Sequence, residues 1–295
     1  MKLAQTAFDL DLTLCCGQVF KWEKKGGWWY GIISDNPIKI RQISKDLEFE
    51  NASSDLVKNY FGLNDNLKEI RKRITRDDYI GKALKKFWGL RIVKQDPWEC
   101  LISYICATYK SIAAIRSMLF KLSKKFGEQK SLNDYILYSF PKPEKLQSAK
   151  ESDLLECGLG YRSKYVLKTA RKILEPASFF DELKHLPYSQ AKKRLIKLPG
   201  IGPKVADCIL LFSLEKTEAF PIDVWIKRVI INHYSDHFSN KFISKISQTR
   251  SISNSEYSKL NEFGRSYFGE YAGYAQEYLF HFERMCSKKK SLNFK

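Results

Sequence analysis

Residues 198–212 read LPGIGPKVADCILLF and follow an amphipathic stretch, and this arrangement decides the interpretation of the chain. Gly200 and Gly202 let the backbone turn tightly and point amide N–H groups outward, as an anion-binding loop requires. The residues after Pro203 form a very apolar segment. The stretch therefore predicts a helix–hairpin–helix, which grips a nucleic-acid phosphate without reading bases. An ordinary turn between two helices is the alternative.

Two side chains beside this hairpin are candidates for chemistry. Lys204 is expected in the first turn of the second helix, with Cys208 one turn later on the same face. The helix dipole and partial burial both favour the neutral amine of Lys204, which is the nucleophilic form. Asp223 directly precedes the next predicted helix, where it can cap that helix and stabilise an oxocarbenium-like sugar. A solvated lysine and a purely capping aspartate are the alternatives.

The composition is that of a folded and strongly basic protein. The chain has 295 residues, and its 51 Lys and Arg against 33 Asp and Glu leave a net charge of +18. Hydrophobic residues make up 44% of the chain, which is too many for a disordered basic tail. A charge of this size favours a polyanionic partner, and nucleic acid is the commonest one.

Several classes of protein are excluded at this stage. The longest apolar runs, such as residues 208–212, are too short to span a bilayer, so no membrane partner is expected. Asp9 and Asp11 interrupt the start of the chain, so no signal peptide and no secretion are expected. The seven cysteines include no C-x-x-C pair, which argues against a zinc ribbon or an iron–sulfur cluster. Reduced thiols fit the cytoplasm or nucleoid of a prokaryote, or the nucleus of a eukaryote.

The hydrophobic periodicity predicts an α+β protein. Residues 1–90 are expected to form an antiparallel β-sheet domain with helices, residues 91–286 a helical region with the hairpin at about 188–214, and residues 287–295 a basic tail. In the first part, strands are expected at residues 19–22, 28–33, 37–41 and 47–50. Later helices are expected at residues 97–106, 113–126, 164–174, 188–198, 203–214, 224–233 and 271–285.

Further stretches of the sequence resemble those of a known protein family. They are CCGQVFKW at 15–22, FWGLRIVKQDPWECLISYIC at 87–106, LGYRSKYV at 159–166 and YAGYAQEYLF at 271–280. With the hairpin and PIDVWIKRV at 221–229, they resemble the helix–hairpin–helix DNA glycosylases. Within these, the chain is similar to the 8-oxoguanine DNA glycosylase/AP lyases of eukaryotic type over roughly residues 8–283. The resemblance implies that the residue at Lys204 is a Schiff-base nucleophile and that Asp223 is the essential carboxylate.

The resemblance also implies a pocket for a flipped base. Gln276 and Phe280 lie four residues apart on one helix face, where an amide can pair with a purine edge and a ring can cover its plane. Cys208 is expected on the other side of the base. Gly17 matches the position whose main-chain carbonyl accepts a bond from N7–H of 8-oxoguanine, a hydrogen that guanine lacks. Taken without the family, Phe280 is a core residue, Gln276 a surface residue and Gly17 a bend.

Contacts with the opened duplex follow from the same resemblance. Tyr161 is expected as a wedge in the base stack, and Arg162 as a reader of the unpaired opposite base. The chain departs from the family at two positions. Family members have an asparagine at the position of Tyr109 that fills the vacated hole, where the tyrosine ring can still act as a wedge, and an arginine at the position of Ala114 that contacts cytosine. Arg116 is about 200° around the helix axis from Ala114 and should point elsewhere. We therefore expect excision opposite all four bases at rates within about tenfold.

Duplex DNA that contains 8-oxoguanine is the expected partner, and the protein is expected to act as a monomer. No cofactor and no catalytic metal are expected, because His233 and His237 have the spacing of a metal pair but lack a third ligand. The hairpin carbonyls could hold a monovalent cation that bridges to a phosphate. Two alternatives stay open at this point: a glycosylase for alkylated or deaminated bases, and a non-catalytic helix–hairpin–helix DNA-binding module.

Overall fold

Antiparallel pairing joins five strands into one N-terminal sheet in the computed structural model, which describes residues 1–4, 7–174 and 178–292. The spatial order is β1-β5-β4-β3-β2. The bounds are β1 (Lys2–Ala4), β2 (Glu23–Lys25), β3 (Trp28–Ile33), β4 (Asn36–Ile43) and β5 (Asp46–Glu50). The predicted α+β class, with the sheet before the helices, is confirmed.

The first predicted hairpin forms with its turn and second strand in the expected places, but its first strand begins four residues later than expected. Gly26 and Gly27 adopt φ of +55° and +80° in the turn, and Lys24 pairs with Trp29. The prediction of a strand at residues 19–22 is wrong, because this segment packs as core. The Trp22 ring lies so close to β3 that a Cβ at Gly31 would meet it at 2.6 Å.

Helices occupy most of the remaining described chain. They are α1 (Leu10–Cys15), α2 (Ser54–Tyr60), α3 (Leu67–Ile74), α4 (Asp78–Lys86), α5 (Pro97–Ala107), α6 (Ile112–Phe126), α7 (Pro143–Gln147), α8 (Glu151–Glu156), α9 (Arg162–Ile173), α10 (Phe179–His185), α11 (Tyr188–Ile196), α12 (Pro203–Ser213), α13 (Val224–His233), α14 (Asn240–Ser247), α15 (Asn254–Phe268) and α16 (Ala272–Leu292). Short 3-10 turns lie at Ser235–His237 and Gly269–Tyr271.

The expected later helices are present, most of them with ends shifted by one or two residues. α13 has the expected bounds, 224–233. α16 continues to Leu292, so most of the segment predicted as a basic tail is helical, and residues 293–295 lie outside the described chain. The sequence did not indicate the hairpin of β6 (Gln129–Leu132) and β7 (Tyr135–Tyr138). This hairpin docks on the first sheet, where the ring centroids of Tyr135 and Tyr30 are 4.4 Å apart.

Two hydrophobic cores meet at the segment that follows α1. One core lies between the sheet and α2, and the larger one lies among the helices, with Tyr274 and Tyr278 of α16 fully buried. Cys16 belongs to the helical core, whereas Val19 belongs to the sheet core. Gly17 therefore sits where the two parts of the molecule join. Among the described helices, none is both long and apolar enough to cross a membrane.

Candidate active site

The predicted hairpin is formed by residues 197–202 between α11 and α12. Gly200 has φ of +80°, and a Cβ there would come within 2.8 Å of the Tyr165 ring of α9. Gly202 is exposed and caps α12, with open space around its Cα. The Thr169 hydroxyl donates to the Pro199 carbonyl at 3.1 Å. The turn is therefore fixed against α9 while Gly202 faces solvent at a helix N-terminus, as an anion-binding loop requires.

Lys204 lies in the first turn of α12 and is half-buried. Its Nζ is 5.1 Å from the centroid of the Tyr104 ring, a cation–π distance. The Cys208 thiol, one turn later, contacts the same amine. Burial raises the pKa of Cys208 to about 12, although the charge of Lys204 opposes this shift. Cys208 is therefore a neutral thiol, which leaves Lys204 as the candidate nucleophile on this helix.

Asp223 caps α13, as its position predicted. Its Oδ1 accepts hydrogen bonds from the backbone N–H groups of Trp225 and Ile226, both at 2.9 Å. Burial raises the pKa of the Asp223 carboxyl, while these hydrogen bonds and the charge of Lys204 oppose the rise. The carboxyl group is therefore fixed by the N-terminus of α13, and the charge of Lys204 acts on it.

A buried polar network joins α12 to the segment that leads to Asp223. Asp207 is fully buried and accepts hydrogen bonds from Tyr188 at 2.6 Å, Lys192 at 2.8 Å, Tyr257 at 2.5 Å and Asn261 at 3.0 Å. Asn261 also donates to the Phe220 carbonyl, and the Tyr257 hydroxyl accepts from the Ile222 N–H group. The helix of Lys204 and the loop of Asp223 are therefore tied to the same side chains.

The sequence reasoning missed Asp207, although a charged residue inside a very apolar helix is a signal for a buried polar network. It also missed Glu277, which is only 2% exposed and lies in the apolar helix α16. Burial raises the pKa of Glu277 to about 7, and the charges of both Lys204 and Asp223 act on its carboxyl. A second carboxyl group thus belongs to the site.

The residues proposed for base binding are brought together from both ends of the chain. Gly17 has φ of +116°, and a Cβ there would lie 3.4 Å from Cε1 of Phe280. Phe280 is partly buried and packs against the helical core. Gln276 is 4% exposed, and its Oε1 has no partner among the described residues. An unpaired buried amide oxygen suits a ligand that supplies the missing donor.

The aromatic residues proposed as wedges lie on the surface. Tyr109 is 87% exposed in the loop between α5 and α6, and its φ of +55° is uncommon for a bulky residue. Tyr161 is 57% exposed at the start of α9, where its ring packs edge-on against Tyr165. Tyr165 in turn packs against the hairpin at Gly200. The wedge candidate Tyr161 and the hairpin therefore occupy neighbouring positions.

Arg162 is not presented to solvent in this structure. It is 3% exposed, and its guanidinium donates to the carbonyl of Thr108, directly before Tyr109. Arg116 is half-buried, and its charge acts on Cys15. Ala114 lies in the first turn of α6 and has no group that could reach a base. A role for Arg162 as a base reader would require it to leave Thr108.

No group of three or more potential metal ligands occurs among the residues that the structure describes. His233 stacks on Tyr79 with ring centroids 3.6 Å apart, and His237 packs at 4.8 Å from Phe263. All seven cysteines lie in the described part of the chain and are free. The two histidines that had the spacing of a metal pair thus pack against aromatic rings.

Comparisons with known proteins agree with this architecture. Residues 1–101 match the model of the 8-oxoguanine DNA glycosylase N-terminal domain, and residues 102–250 match that of the HhH-GPD superfamily of base excision DNA repair proteins. The chain belongs to the HhH-GPD superfamily of base excision DNA repair proteins and carries the 8-oxoguanine DNA glycosylase N-terminal domain. The resemblance stated from the sequence is thereby confirmed.

Two similar proteins match nearly the whole chain, and a third matches 70% of it. The N-glycosylase/DNA lyase OGG1 of Arabidopsis thaliana is 29% identical over 95% of this chain and 78% of its own length. A probable N-glycosylase/DNA lyase of Methanothermobacter thermautotrophicus is 33% identical over 70% of this chain and 68% of its own. The 8-oxoguanine glycosylase/lyase of Clostridium acetobutylicum, solved with DNA containing cytosine opposite 8-oxoguanine, is 30% identical with a TM-score of 0.84. That match covers 97% of this chain and 98% of the other.

Proposed function

We propose that this protein is a bifunctional DNA repair enzyme that excises 8-oxoguanine from duplex DNA and then cleaves the backbone at the resulting abasic site. The similar proteins named as N-glycosylase/DNA lyases support this activity. The observation that carries the proposal is the half-buried Lys204 in the first turn of α12, whose charge acts on the capped carboxyl group of Asp223. The enzyme would act where the genome lies, in a nucleoid or a nucleus.

Lys204 is the nucleophile in the proposed reaction. Its neutral amine forms a bond to C1′ of the flipped nucleotide as the bond from C1′ to the base breaks, and the base leaves with the electron pair and takes up a proton. The bonded amine loses a proton, and the C1′–O4′ bond breaks while O4′ takes up a proton, which opens the sugar ring and leaves an imine between Lys204 and C1′. Loss of a proton from C2′ then breaks the bond from C3′ to the phosphate oxygen, so the 3′ phosphate leaves and the strand is cut. Water hydrolyses the imine and releases Lys204. Asp223 stabilises the positive charge that develops on the sugar and can help to move protons.

Base recognition is proposed for the pocket at Gly17 and α16. The Phe280 ring covers one face of the flipped purine, and the thiol of Cys208 borders the other. The free Oε1 of Gln276 accepts from the purine's Watson–Crick edge. The Gly17 carbonyl accepts from N7–H of 8-oxoguanine, whereas the bare N7 of guanine repels it.

DNA contacts outside the pocket are proposed for the hairpin and the exposed tyrosines. The amide groups near Gly200 and Gly202 bind a phosphate, and Tyr109 or Tyr161 fills the opened stack. A monovalent cation is proposed at the hairpin, where carbonyl oxygens are suitable ligands for a hard cation. The protein is proposed to act on DNA as a monomer.

Trapping with borohydride tests the proposed chemistry, because borohydride reduces an imine between protein and DNA to a stable amine. We expect the wild-type protein to be trapped on a duplex with 8-oxoguanine, and Lys204→Gln to give no adduct. An adduct of equal yield with Lys204→Gln would contradict the nucleophile, and no adduct with any protein would favour a non-catalytic DNA-binding module. Duplexes with uracil or 3-methyladenine test the alternative substrates.

A further inference from the structure

The proposed base pocket is bordered by a turn formed by Cys15, Cys16 and Gly17, here called the Cys15–Gly17 turn. It follows α1 and runs directly against α16, the helix that carries Gln276 and Phe280. A Cβ at Gly17 would lie 2.8 Å from Nη1 of Arg284. The sequence reasoning assigned no role to Arg284, although it touches the turn that is proposed to sense the lesion.

Arg284 holds this turn through its guanidinium. Its Nη2 donates to the Cys15 carbonyl at 3.1 Å and lies 3.3 Å from Nδ1 of His281. The guanidinium carbon is 5.1 Å from the centroid of the Phe280 ring. One side chain therefore contacts both the residue before the turn's centre and the ring that is proposed to cover the base.

The remaining nitrogens of Arg284 are unusual for a buried group. Nε and Nη1 are buried and have no acceptor among the described residues. A buried donor without a partner costs free energy, so a purely stabilising role does not account for an arginine at this position. The contacts of Arg284 with the Cys15 carbonyl and with the Phe280 ring point instead to a role in placing the turn.

Glu277 contacts the same turn from the same helix. It lies seven residues before Arg284, which is about two helical turns and therefore places both on one face of α16. The Cys16 thiol contacts its carboxyl group, and Oε1 has no partner among the described residues. The charges of Lys204 and Asp223 also act on Glu277. This carboxyl group thus contacts the turn and lies within the electrostatic influence of the proposed catalytic pair.

We infer that Arg284 and Glu277 are positioning residues that hold the Cys15–Gly17 turn against α16 and thereby set the discrimination between 8-oxoguanine and guanine. The inference rests on the proposed function. α16 supplies the amide for one edge of the purine, and the turn supplies the carbonyl for another. The two bases differ by one hydrogen at N7, so the amide on α16 and the carbonyl of the turn must lie at the right separation. A displacement of about 1 Å is enough to lose the discrimination.

The test compares two reactions of the same variants. Base excision from 8-oxoguanine and guanine duplexes needs the turn, whereas strand cleavage at a pre-formed abasic site has no base to recognise. For Arg284→Met, we expect single-turnover excision of 8-oxoguanine and its ratio to guanine excision each to fall about tenfold, the effect of one lost contact. Cleavage and borohydride trapping at the abasic site should change by less than about twofold, because the contact of Arg284 with the turn is not needed when there is no base to recognise.

Arg284→Lys keeps the charge and one donor to Cys15, so it should recover part of the discrimination. Glu277→Leu should lower the ratio like Arg284→Met, and Arg73→Met, which removes an exposed arginine of α3, should leave it unchanged. Thermal melting of each variant establishes that it is folded. An unchanged ratio in folded Arg284→Met, or equal losses of excision and abasic-site cleavage, would overturn the inference. A wild-type protein without activity on either duplex would instead refute the proposed function.

Discussion

The hairpin and the base pocket of this protein are assembled in opposite ways. The hairpin with Lys204 and Cys208 comes from one continuous stretch, residues 198–208, between two adjacent helices. The pocket joins Gly17, near the start of the chain, to Phe280, near its end. The first depends on local backbone geometry and helix periodicity, whereas the second exists only when the two cores of the molecule pack together. Substitutions in the two regions should therefore fail in different ways.

The largest expected effect concerns the network that joins the hairpin helix to the loop of Asp223. Asp207→Ala should lower the free energy of unfolding by about 3–5 kcal/mol, because it leaves Lys192 without its carboxylate in a buried setting. Urea unfolding measures this change. Lys2→Ala, which breaks an exposed ion pair with Asp46, is the control and should change stability by less than about 1 kcal/mol. Similar losses in both variants would contradict the role of the network.

A pH-dependent effect is expected for the pocket and not for the hairpin. The folded protein holds a proton on Glu277 up to a pKa of about 7, whereas the ordinary value is 4.5. As the pH rises from 4.5 to 7, the carboxyl group ionises in the unfolded state but stays protonated in the folded state, so the stability of the fold falls by about 3 kcal/mol. Glu277→Gln removes this dependence of stability on pH, because an amide does not titrate in this range.

Urea unfolding of wild type and Glu277→Gln at pH 5 and pH 8 measures that difference. We expect the variant to gain stability relative to wild type at pH 8 compared with pH 5. The groups that act on Glu277 are Cys16, Arg284, Asp223 and Lys204. A variant in the hairpin, Gly200→Ala, should show the same difference from wild type at both pH values. A constant difference for Glu277→Gln would show that its carboxyl group is ionised throughout.

Binding measurements distinguish the two regions directly. Gln276→Ala should weaken binding to 8-oxoguanine DNA by about 1–3 kcal/mol, the usual effect of an unpaired buried polar group, and should leave undamaged DNA unaffected. Gly200→Ala should weaken binding to 8-oxoguanine DNA and to undamaged DNA by the same factor, because a Cβ at φ of +80° would strain the phosphate-binding turn. Fluorescence anisotropy with the two duplexes gives the four affinities. If Gly200→Ala weakened binding to 8-oxoguanine DNA alone, the proposal that the hairpin binds phosphate and the pocket recognises the lesion would be contradicted.

The smallest expected effect concerns the base opposite the lesion. Ala114 has no group that could contact the opposite base, and the Arg162 guanidinium donates to the Thr108 carbonyl. We therefore expect at most one weak preference for a particular opposite base. Single-turnover excision from four duplexes that differ only at this base should give rates within about tenfold, or about 1.4 kcal/mol. A preference for cytosine of about a hundredfold or more would require a second reader. That result would leave the glycosylase assignment intact.

Helix periodicity predicted α13 with its bounds, and glycine spacing predicted the turn at Gly200. The prediction of a strand at residues 19–22 was wrong because the Trp22 side chain packs in the sheet core, over Gly31 of β3. The alternation of side chains along a sequence does not indicate such a contact with a distant residue. The hairpin of β6 and β7 was missed because its strands are short and partly exposed, which leaves a weak apolar signal. Local patterns thus predicted the elements better than their contacts.

The sequence by itself determined the class of fold, the hairpin and the capping of α13 by Asp223, because each depends on residues close in the chain. Only the tertiary structure decided that Asp207 ties Lys204 to the loop of Asp223, and that Glu277 and Arg284 reach the turn at Gly17. These contacts join side chains from distant segments. Their partners are set by how the two cores pack, and no local spacing in the sequence encodes that arrangement.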